Sequence, residues 1–255
     1  MDASIIVLGS PPTHDATLYA ASLARFLAVP LLQVPLQKDT SGSSRQVRHR
    51  LGPATHAQQA GTTGQEDPAV SPGVPQQGLL LVLARPPARH TAAVTQQLLR
   101  ASTLPLLLVP SPAAGRLPPR RIALAAAGKP FVLEQSLRIM HALLLTLPAQ
   151  LIVLHAQLPH SIYSAADALH TVQACGLALR HLAIDGWDVP ALAPAAGILA
   201  GVQQVAADLL VLPVWPRSRW DPAFASSVTA RLLAQCPVPV LLLPVGSGRG
   251  SLQAA

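Results

Sequence analysis

Residues 208–244 read DLLVLPVWPRSRWDPAFASSVTARLLAQCPVPVLLLP, and this stretch decides the fold. Its apolar runs at 209–212 and 240–243 are short and continuous, as in strands that are buried on both faces. Between them, apolar residues recur at helical spacing from about Phe224 until Pro237 ends the pattern. The stretch therefore predicts a βαβ unit, in which a helix joins two parallel strands.

The loop of this unit is the expected place of a ligand site, because βαβ units bind ligands at the carboxyl ends of their strands. Pro213 and Pro216 lie in the loop, and prolines there exclude a helix or a central strand. Ser226 or Ser227 is then the residue that caps the helix.

This stretch resembles the C-terminal part of the universal stress protein domain. A typical member reads D-L-I-V-M-G-S-H-G-R-S-G, then G-S-V-A-E-R-V-L and C-P-V-L-V-V. This chain matches it with DLLV at 208–211, SV at 227–228 and PVLL at 239–242. The resemblance implies the family's fold, which is an α/β domain with an open, mostly parallel, Rossmann-like sheet flanked by helices (adenine nucleotide alpha hydrolase-like).

The family's ATP-binding members carry the motif G-x2-G-x9-G-[ST], whose glycines let backbone N–H groups approach phosphate. On this chain the three glycine positions fall on Pro213, Pro216 and Ser226, and the hydroxyl position falls on Ser227. Proline has no N–H to donate, and its ring obstructs close approach. The resemblance therefore implies the family's scaffold without its phosphate cradle.

The same order of elements occurs twice along the chain. The apolar runs at 79–83 and 105–109 repeat those at 209–212 and 240–243, and PLLLVP at 105 is a near copy of PVLLLP at 239. After a Pro/Gly-rich linker at 111–119, the pattern starts again in a fuller form. We expect two tandem α/β domains with five-stranded-type sheets, an abbreviated one at 1–112 and a second at 120–246.

Two further expectations concern this arrangement. Residues 38–77 are rich in Ser, Gly, Thr, Gln and Pro and lack periodicity, which predicts a flexible insertion, either inert or partner-binding. In the family, domains pair through their last strands. The resemblance thus implies that 105–109 and 239–243 pair within one molecule as a pseudo-dimer.

The resemblance also places the family's other nucleotide contacts on this chain. The aspartate positions fall on Leu8 and Ala127, whose side chains cannot accept hydrogen bonds, and the position near adenine falls on Ala156. The candidate site is thus a degenerate nucleotide site made of Ala127, Gly128, Ala156, Pro213, Trp215, Arg217, Arg219, Ser226 and Ser227.

Several of these side chains have two interpretations. Arg217 and Arg219 are either solvated loop residues or contacts for an anionic ligand. Ser227 is either an ordinary helix cap or an anion contact at a helix N-terminus. Trp215 and Trp220 either stack on a base or fill the space that a nucleotide would use.

Composition limits the function classes. In 255 residues, 50% are hydrophobic and 11% are charged, which predicts a sizeable core and no membrane span. The N-terminus lacks the basic region of a signal peptide, and Cys175 and Cys236 have no CxxC spacing, so a cytoplasmic location is the expectation. A net charge of +7 leaves open a nucleic-acid or membrane-surface binder, although no nucleic-acid motif accompanies the basic loops.

No nucleophile signature, carboxylate pair or metal-ligand spacing is evident, so we expect neither catalysis nor a bound metal. The favoured hypothesis is a cytoplasmic universal stress protein that acts through protein contacts, with an unknown partner and no cofactor. The alternative is a binder of ATP or another anionic ligand in a reworked pocket.

Overall fold

The computed structural model describes residues 3–9, 14–34, 77–179, 182–215 and 227–247. The insertion predicted at 38–77 lies outside the described residues except for Gln77. Arg217, Arg219, Trp220 and Ser226 also lie outside the described residues.

The N-terminal part of the described chain alternates strands and helices. Its elements are β1 (Ile5–Leu8), α1 (His14–Leu27), β2 (Leu31–Val34), β3 (Leu80–Ala84), α2 (Ala88–Ala101) and β4 (Leu106–Val109). The strands are almost entirely aliphatic, and β1, β3 and β4 are buried along nearly their whole length, as expected for strands covered on both faces.

The C-terminal part repeats this alternation with more elements. They are β5 (Arg121–Ala125), β6 (Phe131–Val132), α3 (Ser136–Thr146), β7 (Gln150–Gln157), α4 (Ala165–Val172), β8 (Ile184–Pro190), α5 (Pro194–Gln204), β9 (Leu209–Val214), α6 (Val228–Gln235), β10 (Val240–Pro244) and β11 (Gly246–Ser247). The βαβ unit predicted from residues 208–244 is confirmed as β9, α6 and β10, with β9 and β10 parallel.

Among the described residues, nine strands form one sheet in the order β2-β1-β3-β4-β10-β9-β5-β7-β8. Every neighbouring pair is parallel except β4 and β10, which run antiparallel with Leu108 opposite Val240. An α/β fold with an open, mostly parallel sheet is therefore confirmed. The strands β1–β4 and the strands of the C-terminal part are continuous in this one sheet.

Helices cover both faces of the sheet. The apolar side chains of α1, α3 and α4 pack on one face and those of α2, α5 and α6 on the other. Successive strand residues alternate between the two layers, so that Leu241 and Leu243 of β10 join the first layer and Val240 and Leu242 the second. Because β9, β5 and β7 are parallel, the loops at their carboxyl ends lie at one edge of the sheet, which places the candidate site.

The structure differs from the sequence-based expectations at several elements. The helix predicted over 131–145 is β6 followed by α3, and the strand predicted over 187–192 is β8, which begins at Ile184. Two further differences are the end of α4 and the position of Pro213. Apolar spacing predicts a helix over 163–184, but α4 ends at Val172 and is followed by a wider turn, Gln173–Leu177, in which Gly176 has a φ of +96°. The chain stays helical through this wider turn, and the helix prediction is wrong only beyond it, because Gly176 takes a left-handed conformation that a helix cannot continue through. Leu177 and Leu182 still pack on the core, which explains the misleading pattern.

The other difference concerns proline. Pro213 lies inside β9, opposite Leu243 of β10, although proline was expected to exclude a central strand. It stands one residue from the end of the strand, where the missing N–H removes a single bond from the end of the ladder. The predicted loop therefore begins two residues later, at Trp215.

Candidate functional site

The loops that follow β5 and β9 meet at the point where the strand order changes direction. From β5 the chain moves outward through β7 and β8, then returns to place β9 on the other side of β5. In open α/β sheets, ligands bind at such a switch point, outside the carboxyl ends of the strands. Ala127 and Gly128 follow β5, and Pro213 and Trp215 lie at the end of β9, so the structure brings these four predicted residues to the switch point.

The segment after β5 crosses this switch point. Phe131 and Val132 form β6 and pair with Ser247 and Gly246, which follow β10. Because β9 lies between β5 and β10 in the sheet, the chain between β5 and β6 must pass the carboxyl end of β9 to reach this partner. Ser136 then donates a hydrogen bond of 2.7 Å to the carbonyl oxygen of Pro244.

The side chains of this crossing segment fill the space beneath it. Phe131 is 5% exposed and Leu133 is fully buried, and both belong to the apolar layer under α3. The ring of Trp215 meets the ring of Phe131 edge-on at a centroid distance of 6.4 Å, a favourable aromatic geometry. Trp215 thus packs on a buried phenylalanine, although 43% of its surface remains exposed.

Gly128 is covered from the other side by a tyrosine. It is buried with a φ of +73°, and a Cβ placed on it would stand 2.8 Å from the Cγ of Tyr163. Its carbonyl oxygen accepts a 3.1 Å hydrogen bond from the Oγ1 of Thr171. The one glycine of the predicted site therefore lets a side chain of this protein approach the backbone.

Tyr163 is held by the hydroxyl group of Ser161, which lies beside the buried His155. His155, which is 3% exposed, lies 3.1 Å through its Nδ1 from the carbonyl oxygen of Ala126. Its Nε2 lies 3.4 Å from the Oγ of Ser161, which donates a 2.9 Å bond to the carbonyl oxygen of Tyr163. Since a carbonyl can only accept, the proton on Nδ1 is assigned by its partner. His155 therefore connects the loops after β5 and β7.

The start of α4 fixes the end of this loop. Ser164 and Asp167 form a reciprocal capping box, in which each side chain bonds the other residue's backbone N–H. The hydrogen bonds from Ser164 hold the pKa of Asp167 below its usual range. Asp188 of β8 accepts a further 2.8 Å bond from the N–H of Ala165.

The remaining predicted residues have structural contacts. Ala156 lies under α5, where a Cβ on Gly197 would stand 2.9 Å from the Cβ of Ala156. Ser227 is the N-cap of α6, and its Oγ accepts a 3.2 Å bond from the N–H of Ala230, as one of its two interpretations predicts. Arg217, Arg219 and Ser226 lie outside the described residues.

The loop after β3, which corresponds to the ligand loop in the N-terminal part, has a different use. Arg85 donates through its Nη1 to the carbonyl oxygens of Cys236 and Leu233. These carbonyls end α6, where a positive charge is favourable. Arg85 therefore ties the N-terminal part of the chain to the last helix of the C-terminal part.

Two properties of the described residues bear on the function classes. No group of three or more His, Cys, Asp or Glu residues among them could hold a metal ion, and none of their helices has the length and hydropathy of a membrane span. Cys175 and Cys236 are unpaired thiols, and burial raises the pKa of each to about 11. Such thiols are poor nucleophiles at neutral pH.

Several solved structures are similar to this chain, each with a TM-score below 0.5 in the comparisons that follow. No protein-family model and no curated protein matches the chain. A universal stress protein from Archaeoglobus fulgidus is similar over 66% of this chain and 61% of its own, at 14% identity and a TM-score of 0.47. A universal stress protein in complex with cAMP is similar over 50% of this chain and 98% of its own, at 20% identity and a TM-score of 0.41.

A functionally unknown protein from Pseudomonas aeruginosa is similar over 95% of this chain and 92% of its own, at 18% identity and a TM-score of 0.49. By contrast, the chain spans less than two thirds of the length of the Archaeoglobus structure. Universal stress proteins are thus among the solved structures to which this chain is similar.

Sequence reasoning missed the residues that occupy the site. Tyr163, Phe131 and His155 are not among the residues that the sequence predicts for the site. A short-range signal was present for Phe131, since a large apolar residue follows Gly128, Lys129 and Pro130, which favour a turn rather than a helix. For Tyr163 no signal existed, because its contact with Gly128 joins residues that are far apart in the sequence.

Proposed function

We propose that this chain is a tandem universal stress protein that acts in a stress response or its regulation through protein contacts, without binding ATP. The observation that carries the proposal is the packing of the switch point by the protein's own side chains. Phe131 and Trp215 stand between β5 and β10, and Tyr163 covers Gly128. A nucleotide would have to displace these groups at the place where open α/β sheets bind one.

The chemistry of the same residues supports the proposal. A phosphate site at a strand end relies on backbone N–H groups, which Pro213 lacks. The Oγ of Ser227 already accepts a bond from its own helix. Ala127 offers a methyl group where adenosine recognition in the family uses a carboxylate. Binding energy for a nucleotide would therefore have to come from groups other than the family's own.

The proposal includes the tandem arrangement. The strand order β2-β1-β3-β4 of the N-terminal part matches the order β7-β5-β9-β10 of the C-terminal part, which supports an internal duplication with one strand missing from the first copy. The antiparallel contact of β4 with β10 supports an intramolecular pairing of the two copies through their last strands. A cytoplasmic, non-catalytic role belongs to the same proposal.

A nucleotide screen by thermal denaturation tests the claim about ATP. ATP, ADP and cAMP are added separately at millimolar concentration, with and without Mg²⁺, and the melting temperature is recorded. The proposal predicts no change, because a ligand stabilises only the state to which it binds. A ligand present at 100 times its Kd would stabilise the fold by about 2.7 kcal/mol, which shifts the melting temperature by several degrees and would overturn the proposal.

A further inference from the structure

The connection between β4 and β5 carries an unusual density of positive charge. Residues 115–121 read GRLPPRR, and we name this segment the arginine loop. Its arginines, Arg116, Arg120 and Arg121, are all exposed. The loop lies at the amino ends of β5 and β9, on the opposite edge of the sheet from the switch point of the C-terminal part.

One buried carboxylate fixes the backbone of all three arginines. Asp208, which is 6% exposed, accepts hydrogen bonds from the backbone N–H groups of Arg116 at 2.7 Å, Arg120 at 2.9 Å and Arg121 at 3.0 Å. Hydrogen bonds to a carboxylate are stronger than those between neutral groups. The loop thereby folds around the Asp208 carboxylate, which holds the backbones of the three arginines close together.

Other contacts restrict the loop further. Gly115 lies so close to Asp208 that a Cβ on it would stand 2.9 Å from the Asp208 Cα. The preceding residue, Ala114, donates a 3.2 Å bond to the carbonyl oxygen of Pro237. Arg121 donates through Nη1 to the carbonyl oxygen of Val205 at 3.3 Å. A loop held in this way loses little conformational entropy when it binds.

The guanidinium groups of the arginine loop are not paired with a carboxylate of the described residues. Asp208 bonds to backbone N–H groups, and the nearby Asp15 accepts instead from the Oγ of Ser111 at 2.6 Å. No described carboxylate forms a salt bridge with the guanidinium group of Arg116 or Arg120. Leu117, 41% exposed, lies between them and adds an apolar surface.

We propose that the arginine loop is a docking site for an acidic segment of a protein partner, one that presents carboxylates around an aliphatic side chain. Guanidinium groups match carboxylates with paired hydrogen bonds, and Leu117 provides the apolar contact. A single-stranded nucleic acid would need aromatic residues for stacking, and the loop has none. This inference rests on the proposed function, in which the protein acts through contacts with other proteins.

Fluorescence anisotropy with defined probes tests the inference. The probes are a labelled peptide of Glu-Glu-Leu repeats, the same peptide with Gln in place of Glu, a single-stranded DNA and vesicles containing phosphatidylserine. The test variant combines Arg116→Glu and Arg120→Glu, which keeps both backbone bonds to Asp208. The matched control combines Arg138→Glu and Arg231→Glu, two exposed arginines on α3 and α6 with the same change of charge.

The inference predicts that the acidic peptide binds the natural protein and the control variant equally, and that the test variant weakens its binding by about tenfold or more. The glutamine peptide should not bind. Equal binding by both variants, or no binding of the acidic peptide, would overturn the inference. Tighter binding of the DNA or the vesicles, lost in the test variant, would overturn the choice of a protein partner.

Self-association is measured in parallel by sedimentation, because a dimer that only the test variant disperses would replace the acidic partner with a second copy of the chain. The failure of the proposed function would look different. Binding of ATP with intact peptide binding would overturn the nucleotide-free role but leave the docking site. If the protein binds neither ATP nor the acidic peptide, the docking site is overturned and the proposed function stands.

Discussion

The ring of Tyr163 lies against the backbone of Gly128, so closely that a Cβ on Gly128 would stand 2.8 Å from the Cγ of Tyr163 and 2.9 Å from its Cβ. These are the atoms of the tyrosine nearest its own backbone, so they cannot move aside without the loop. The glycine at the switch point therefore admits a side chain of the protein itself.

Substitution of Gly128 by alanine should therefore destabilise the protein strongly. The left-handed backbone and the steric overlap together should lower the free energy of unfolding by about 2–5 kcal/mol. Gly176→Ala is the matched control, since Gly176 also has a positive φ but its added Cβ would meet only a Leu137 methyl at 3.4 Å. Gly176→Ala should lower the free energy of unfolding by about 1–2 kcal/mol. Equal losses in urea denaturation would show that the tyrosine contact is unimportant.

Asp208 should be a major contributor to stability. In Asp208→Asn, an amide NH2 replaces one of the two oxygens that accept backbone bonds, and at least one N–H of the arginine loop loses its partner. We expect a loss of about 2–4 kcal/mol in the free energy of unfolding. Asp185→Asn is the control, because the bond from Gln150 to Asp185 is exposed and should contribute less than about 1 kcal/mol. A loss no larger than that of the control would contradict this account of Asp208.

The contact of Arg85 with the end of α6 predicts that Arg85→Ala destabilises the protein more than Arg89→Ala does. Arg85→Ala removes bonds to the carbonyl oxygens of Cys236 and Leu233, and it should lower the free energy of unfolding by about 1–3 kcal/mol. Arg89→Ala removes an exposed bond to His90 in the same segment and should have little effect. Chemical denaturation of both variants measures the difference, and similar values for the two would remove the role assigned to Arg85.

Stability should fall at alkaline pH because of the two buried cysteines together with Tyr19, whose pKa is also raised by burial. Burial raises the pKa of Cys175 and Cys236 from 9.0 to about 11, so the folded state disfavours the thiolate. The resulting stabilisation is present in full below pH 9 and is lost as the pH rises toward 11. Urea denaturation between pH 8 and pH 11 measures the decline, and Cys236→Ala should make it shallower. A decline of the same slope in that variant would assign it to other groups.

Local sequence pattern was sufficient for the buried aliphatic strands and for most of the helices, but it missed the short strands β6 and β11. The continuous aliphatic runs of β9 and β10 have no alternative interpretation, and Ser227 caps α6 as its position suggested. The failures have physical causes. Gly176 ends a helix through its left-handed backbone, while the apolar spacing continues beyond it because Leu177 and Leu182 pack on the core.

The contents of the site depend on contacts that a sequence does not display. The absence of the universal stress protein glycines and aspartates at the matched positions indicated what the site lacks. The groups that fill the space, Phe131 and Tyr163, come from other segments and meet the site only after folding. The bonds from the arginine loop to Asp208 likewise join residues about ninety positions apart.

Isothermal titration of the protein with ATP in the presence of Mg²⁺ tests the central claim most directly. With Phe131, Trp215 and Tyr163 packed at the switch point and no backbone donor at Pro213, the account predicts no heat of binding up to millimolar ATP. Saturable binding at micromolar concentration, weakened by Ser227→Ala, would contradict it. The site would then hold its phosphates with side chains in place of the missing backbone groups.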